Sequence, residues 1–515
     1  MEPMVHFGLG TVTSVDEIEV IWPDGKSNLL TDISVNQTLV MNYGDASRSQ
    51  QNKVSTEPLL SDITKQSFAV PHTHQENPFD DYRVQVLLPH KLSQLGPCLA
   101  VGDVNADGLE DFYIGGPHKQ VGQIYLQKAN QQFEPLVTTA FEEEQQLEDT
   151  GATFFDADGD GDLDLYVVSG GNEFQPNSHF FQDRLYLNDG QGQFQLSDQL
   201  PEIKSSGSCV KPFDFDGDGD LDLFVGGRLI PFHYPQAPRS YLLENRAGQF
   251  IDVTEEIAPD LAHLGMVTDA LWHDLEQDGQ AELMLVGEWM PITIFQWRGS
   301  QYEDVTSSFA LDQTEGWWNT IEMADLDQDG DQDFILGNLG LNYKFKASAE
   351  KPFTVFADDF DQNGTNDIFL AKYNDDRMVP IRGKECSSQQ LPTLNKKFAT
   401  FKEFAKADIH QILDGKTKKA LRYDAREFRS IILENNAGKL TMKALPIEAQ
   451  FSTVNGALVH DFNGDDIQDI LIAGNRFESE VETTRADSSP GALFLQDQTS
   501  GNWTKSSMAE SGFFV

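Results

Sequence analysis

Seven nine-residue stretches repeat one pattern of oxygen side chains. They are "DVNADGLED" from Asp103, "DADGDGDLD" from Asp156, "DFDGDGDLD" from Asp214, "DLEQDGQAE" from Asp274, "DLDQDGDQD" from Asp325, "DFDQNGTND" from Asp359 and "DFNGDDIQD" from Asp461. Each has an acid at position 1, an oxygen side chain at positions 3 and 5, and an acid at position 9. Six copies have Gly at position 6, where the loop must bend sharply, and the seventh has Asp466. A hard cation such as Ca²⁺ takes roughly six to eight oxygen ligands, and alternate residues of a tight loop can aim theirs at one centre, with a backbone carbonyl from position 7.

The candidate ligands are therefore Asp103, Asn105, Asp107, Leu109 and Asp111 in the first copy, and Asp156, Asp158, Asp160, Asp162 and Asp164 in the second. The third offers Asp214, Asp216, Asp218, Asp220 and Asp222, and the fifth Asp325, Asp327, Asp329, Asp331 and Asp333. The sixth offers Asp359, Asp361, Asn363, Thr365 and Asp367, and the seventh Asp461, Asn463, Asp465, Ile467 and Asp469. The fourth copy departs, with Glu276 at position 3, Gln280 at 7 and Glu282 at 9, and is assigned no ligands. A helix–loop–helix calcium motif needs Glu at position 12, which here is apolar or Gly in most copies.

The bland alternative is a solvated acidic face. The loops hold more than a third of the chain's 83 acids and no Lys or Arg. A face kept only for solvation explains neither the fixed phase nor the glycine. Carboxylates this close repel one another, and a bound ion would turn that repulsion into a crosslink between strands.

The flanks read as strands. Apolar residues alternate before each loop, as in Ala152/Phe154 and Ala270/Trp272, and short apolar runs such as "LYVVSGG" and "FILGN" follow. A further strand appears in most copies: "QIYLQ", "RLYLN", "SYLLEN", "ITIFQW", "SIILEN" and "ALFLQ". Four strands per unit make a blade, and seven units predict an all-β, seven-bladed β-propeller over residues 86–515. Successive position-1 residues are 53, 58, 60, 51, 34 and 102 apart, so the units are even except near the sixth. Cys98 and Cys209 stand five residues before position 1, where small residues prevail, and read as free core residues. Three cysteines without paired spacing argue against a disulfide framework or a zinc site.

Residues 372–429 break the acidic trend with 14 bases against 8 acids. Phe398, Phe401, Phe404, Ala405 and Ile409 recur there at helical spacing, which predicts a partly helical insertion in blade six. Its basic face either docks on the acidic propeller or presents Arg377, Arg382 and Lys384 to an anionic ligand.

The loops with their flanks resemble the FG-GAP or VCBS-type repeats of integrin-like propellers, and the resemblance implies several structural Ca²⁺ ions. "VHFGLG" (Val5–Gly10), followed by Val15–Tyr43 with its Trp22-Pro23-Asp24-Gly25 turn, resembles the C-terminal part of an ASPIC/UnbV domain. That implies a module over residues 1–43 within a longer protein. Residues 44–85 read as a linker and a lead-in to the propeller. The lead-in carries His72, His74, Glu76, Asp80 and Asp81, either a metal or acid/base cluster or residues that order this stretch and pair with Arg83 or Lys91.

A formal charge of −46 makes nucleic acid and anionic membranes poor partners. No apolar run is long enough to span a bilayer and no signal peptide stands at the start, so the expected location, secreted or cell-surface/periplasmic, rests on the resemblance. The expected role is a monomeric binding or adhesion scaffold, recognising a glycan or protein at a propeller face. The alternative is a carbohydrate-active lyase or hydrolase on the same scaffold. No G-x-S-x-G, H-E-x-x-H or phosphate-cradling loop is present, and no catalytic residue is assigned. Trp317 and Trp318 read either as packing or as a sugar-stacking pair at a loop tip.

Overall fold

The computed structural model describes residues 7–22, 26–48, 57–68, 72–497 and 500–514. The chain forms two compact units, Met1–Pro58 and Leu59–Val515. In the first, strands Ser14–Ile21, Lys26–Ser34 and Ser47–Arg48 form one antiparallel sheet, with Ile18 opposite Leu30 and Lys26 opposite Arg48. The third strand lies beyond the expected boundary at residue 43, and Pro23, Asp24 and Gly25 of the expected turn fall outside the described residues.

The second unit is all-β apart from short helices, with each of the seven nine-residue loops joining the first two strands of an antiparallel sheet. Position 9 opens the second strand every time, as in Asp111–Ile114, Asp164–Ser169, Asp222–Leu229, Glu282–Met290 and Asp333–Gly337. The last four of these strands are buried along their whole length, because both faces of each sheet are covered by neighbours. That burial explains the continuous apolar runs in place of alternation.

Strand order departs from seven units in simple succession. The fifth sheet runs Thr320–Ala324, Asp333–Gly337, Ile431–Asn436, Lys439–Ala444, so its third strand comes only after Ala425. Between them lies a complete nested sheet of Phe353–Asp358, Asp367–Asn374, Arg377–Pro380 and Leu421–Ala425. Its order also differs, with the fourth strand pairing beside the first. The basic segment expected within a sixth blade thus belongs to an insertion in the fifth sheet. The spacing of 34 residues between the fifth and sixth loops leaves room for two strands, not four. The first strands of the other six sheets neighbour one another in chain order and skip the nested one.

The insertion contains four short helices, Lys384–Gln390, Leu394–Lys397, Phe401–Lys406 and Ile409–Ile412. Capping boxes at Thr400/Glu403 and Asp408/Gln411 restart the chain twice. Phe404 and Ile409 are buried while Phe401 is exposed. The nested sheet and helices share one core with Leu87, Leu88, Leu92, Leu229, Trp289 and Trp317. Among the described residues, no helix is long and apolar enough to cross a membrane.

Residues before the first sheet tie the ends of this unit together. Leu59 N–H donates to the Glu510 carbonyl oxygen (2.9 Å) and Leu60 N–H to that of Ser511 (2.8 Å). Phe68 forms a bridge with Phe133 on the outer strand of the first sheet.

Candidate metal loops and a polar cavity

Each loop folds around its position-1 carboxylate, which accepts backbone N–H groups from position 6 and, in most copies, from position 4 or 5. Asp103 accepts from Asp107 and Gly108, Asp156 from Gly159 and Gly161, and Asp359 from Asn363 and Gly364. Position 5 accepts the N–H of position 7 in all seven loops. Gly at position 6 has φ near +90°, for example 91° at Gly161 and 98° at Gly330. Asp466 takes the same role at φ 65° and donates to Asp461. Position 4 is left-handed too, including Ala106, Gln277, Gln328 and Gln362, a second bend that the composition does not announce.

Four loops bring three carboxylates together with ligand atoms within 4.8 Å of one another: Asp156/Asp158/Asp164, Asp214/Asp216/Asp218, Asp325/Asp327/Asp329 and Asp359/Asp361/Asp367. Buried Oδ1 atoms of Asp325 and Asp361 have no hydrogen-bond partner. Partial burial and then neighbouring carboxylates raise Asp158 and Asp327 above the usual carboxylate range. An all-oxygen donor set with buried, unpartnered oxygens and mutual repulsion fits a hard divalent cation. In the first and seventh loops an amide, Asn105 or Asn463, replaces the acid at position 3. The carboxylates of Asp220 and Asp331 accept instead from the hairpin N–H groups of Ala247 (3.2 Å) and Ala437 (2.6 Å), which agrees with the backbone carbonyl, not the side chain, being the expected ligand at position 7.

The position-9 acid has a structural duty that its spacing does not reveal. Asp222 accepts from Phe215 N–H (3.0 Å) at loop position 2 and from Asn245 N–H (2.8 Å) on the third strand. Asp111, Asp164, Asp333 and Asp469 make the same pair of bonds. Glu282 keeps the loop bond to Leu275 but takes the Gln296 side chain for the other, and Gln296 also donates to Glu276. In the nested sheet Asp367 is bound by Phe360 N–H alone, since the strand after it is a short hairpin. Burial raises Asp164 and Asp333 to about 6 and Asp222 and Asp367 to about 7.

The quoted third strands end on an amide residue, except "ITIFQW", where Gln296 stands one before the end. Asn188 Nδ2 donates to the Val104 carbonyl (2.7 Å) and Asn245 Nδ2 to that of Ala157 (2.9 Å), each at loop position 2 of the preceding sheet. These amides join adjacent sheets beside the acidic loops.

At the opposite strand ends, a cavity of about 510 Å³ opens among six sheets. Its wall includes Thr150, Ser208, Thr268, Asn319 and Asn455, every one of them six residues before a loop's position 1. The corresponding residues are Pro97 in the first sheet, next to lining residue Gly96, and buried Phe353 in the nested one. The cysteines and small residues weighed in the sequence lie one position further on.

His90, Lys91, Arg228, Arg476, Phe477 and Glu478 also line the cavity. Arg228 donates to buried Glu288 (2.6 Å), which also accepts from Tyr234 Oη (2.6 Å). Burial alone would raise Glu288, but His90 and Arg228 beside it hold it well below the usual carboxylate range. Arg476 donates to His90 Nδ1 (2.9 Å) and lies 5.5 Å from the Trp317 ring centre.

Other expected sites are placed differently. Trp317 and Trp318 are buried packing residues and cannot stack a ligand at a loop tip. Arg382 is buried against Glu480, Arg377 donates to the Lys406 carbonyl and Lys384 to Asn395, so these three do not converge on an anion. Asp81 orders the lead-in by accepting from Leu92 N–H, Ser93 Oγ and Asn172 Nδ2. His74 pairs with Glu76, and Lys91 pairs with Glu478. The three cysteines are free.

Solved structures of low identity align with the chain. They include Saccharomyces cerevisiae Sqt1 (11% identity, 81% of this chain, 85% of that one, TM-score 0.35). The V. cholerae biofilm matrix protein Bap1 gives 12%, 81%, 87% and 0.30, and YCF48 bound to D1 peptide 9%, 85%, 88% and 0.36. At these scores the likeness carries no argument. No curated protein matches the chain. The family described as ASPIC and UnbV matches residues 1–48, and the FG-GAP-like repeat matches residues 103–167, 169–225 and 274–336. The chain thus carries three FG-GAP-like repeats, and its N-terminal residues are similar to part of the ASPIC and UnbV family.

Proposed function

We propose that this protein is a calcium-stabilised extracellular binding scaffold that recognises a glycan or protein ligand at one face of a propeller. The inferred propeller has six sheets in the ring and the seventh nested in the fifth. The run of neighbouring first strands and the ties at Leu59, Leu60 and Phe68 support that count. Residues 1–43 with the strand that ends at Arg48 form the N-terminal module, the rest of 44–85 the linker and lead-in, and residues 86–515 the propeller with its insertion.

The observation that carries the reading is spatial separation. Metal loops occupy one set of strand ends, and the polar cavity opens at the other. Positions 1, 3, 5 and 9 with the position-7 carbonyl would hold Ca²⁺ in the six loops assigned above, and the fourth loop would stay empty. Bound cations crosslink first and second strands and so hold the frame that shapes the cavity.

Calorimetric titration of metal-depleted protein with Ca²⁺ tests this. At least four ions are expected per chain, with little uptake of Mg²⁺, which demands a tighter octahedral shell. A protein that binds no Ca²⁺ and melts identically with and without it refutes the reading.

A further inference from the structure

Two guanidinium groups at the cavity have less negative charge around them than they need. Arg228 is 6% exposed, and while its Nη2 meets Glu288, its buried Nη1 has no partner. Arg476 makes no ion pair among the described residues, and its contacts are a histidine nitrogen, the Asn319 side chain (3.4 Å) and the Trp317 face. Since Arg476 donates to Nδ1, the His90 proton sits on Nε2, facing Glu288 at 3.5 Å. Burial and then the Arg476 charge lower His90 from the usual imidazole range. One carboxylate, Glu288, therefore faces two guanidinium groups, in a chain whose formal charge is −46.

The remaining wall is polar and repetitive. The hydroxyls of Thr150, Ser208 and Thr268 spend their protons on backbone carbonyls and keep lone pairs free to accept from a ligand. Asn319, Asn455 and Asn475 add amides, and Phe477, 52% exposed, offers an apolar face at the rim. The volume of about 510 Å³ suits one or two sugar rings. A planar carboxylate matches a guanidinium fork, hydroxyls match the polar wall, and the apolar face of a pyranose matches an aromatic ring.

Resting on the scaffold reading above, we propose that this cavity binds a sugar carboxylate, a uronic acid residue, with Arg228 and Arg476 taking the carboxylate and the ring of Thr, Ser and Asn side chains taking the hydroxyls. Lys91 is held by Glu478 at the rim (3.0 Å).

The test is calorimetric titration of the full chain in Ca²⁺ with D-galacturonate and its trimer, against galactose, methyl galacturonate ester and inorganic phosphate. The acids are expected to bind at least about tenfold more tightly than the ester or galactose, because only the carboxylate makes the charge-assisted bonds. Arg476→Gln is expected to abolish that preference. Phe477→Ala, at an exposed site where the fold has little at stake, is expected to weaken the acids about tenfold or more. Ester and acid binding alike, or acid binding untouched in both variants, overturns the proposal while leaving the scaffold reading intact. Phosphate matching galacturonate overturns the sugar assignment. No binding by any saccharide, with none by peptides on an array, removes both readings.

Discussion

The hydroxyl of Thr268 donates to the backbone carbonyl oxygen of Trp318 at 3.0 Å, from the first strand of one sheet to a residue two before the first strand of the next. The same link runs from Thr150 to Gly207 (3.0 Å), from Ser208 to Val267 (2.8 Å) and from Asn319 to Val454 (3.2 Å). Each leaves the residue six before one loop and reaches the residue seven before the next. The last link passes over the nested sheet. Apolar faces permit neighbouring sheets to slide, whereas a directed bond at a fixed register does not.

Removing one latch should destabilise the second unit without altering the acidic loops. Thr268→Val, of nearly equal shape, is expected to cost about 1 kcal/mol in urea unfolding, and Thr268→Ser to restore most of it. Equal losses in both variants would point to packing of the methyl group and not to the bond.

Metal removal should lower stability broadly. A chelator is expected to reduce the melting temperature, and Ca²⁺ at about a hundredfold over its dissociation constant to stabilise by about 2.7 kcal/mol per site. Asp327→Asn is expected to lose part of the calcium response. Asp278→Asn, in the fourth loop, is expected to keep all of it; an equal loss in the two would contradict the assignment of ligands.

The position-9 acid should matter even without metal. Asp222→Ala strands two backbone N–H groups and is expected to cost about 2–6 kcal/mol in chelator, from roughly 1–3 kcal/mol for each unmet buried group. Asp222→Asn retains one acceptor oxygen and should cost less. A purely metal-binding role predicts instead that neither variant changes stability once the chelator is present.

Stability should fall from acid toward neutral pH through Asp183. This carboxyl, 3% exposed and accepting from Tyr166 Oη and Ser169 N–H, is pushed by burial up to about 7. An unfolded Asp titrates near about 3.9, so between about pH 4 and 7 the folded chain keeps a proton that the unfolded chain has lost. Stability then declines with rising pH by up to about 1.4 kcal/mol per unit. With Ca²⁺ saturating, Asp183→Asn should flatten unfolding free energy across that window; an unchanged slope would assign it to other groups.

The insertion should be held by its buried ion pair. Arg382 and Glu480 are each nearly fully buried and in contact, and Glu480 also accepts from Thr483. Arg382→Met leaves that carboxylate without its guanidinium and is expected to cost about 3–5 kcal/mol. Hydrogen exchange should show the loss first in residues 381–412, and exchange confined to the metal loops would argue against it.

Local chemistry was legible in the chain itself. A cation loop needs its carboxylates within a few residues of one another, so the nine-residue pattern exposed all seven loops and the strands around them. Blade order was not legible, because Asp333 finds Asn435 across 102 residues and no local pattern records that the fifth sheet waits for its third strand. The spacing of 34 residues was the one trace of it. The terminal amides of "RLYLN" and "SYLLEN" were equally visible, yet their meaning depends on a carbonyl in a different sheet. Sequence alone determined which residues gather oxygen around a loop, since that is a matter of a few covalent bonds. Only the tertiary structure decided which ends of the strands face one another, and so brought Arg228, Arg476 and five register-matched polar side chains to a single cavity.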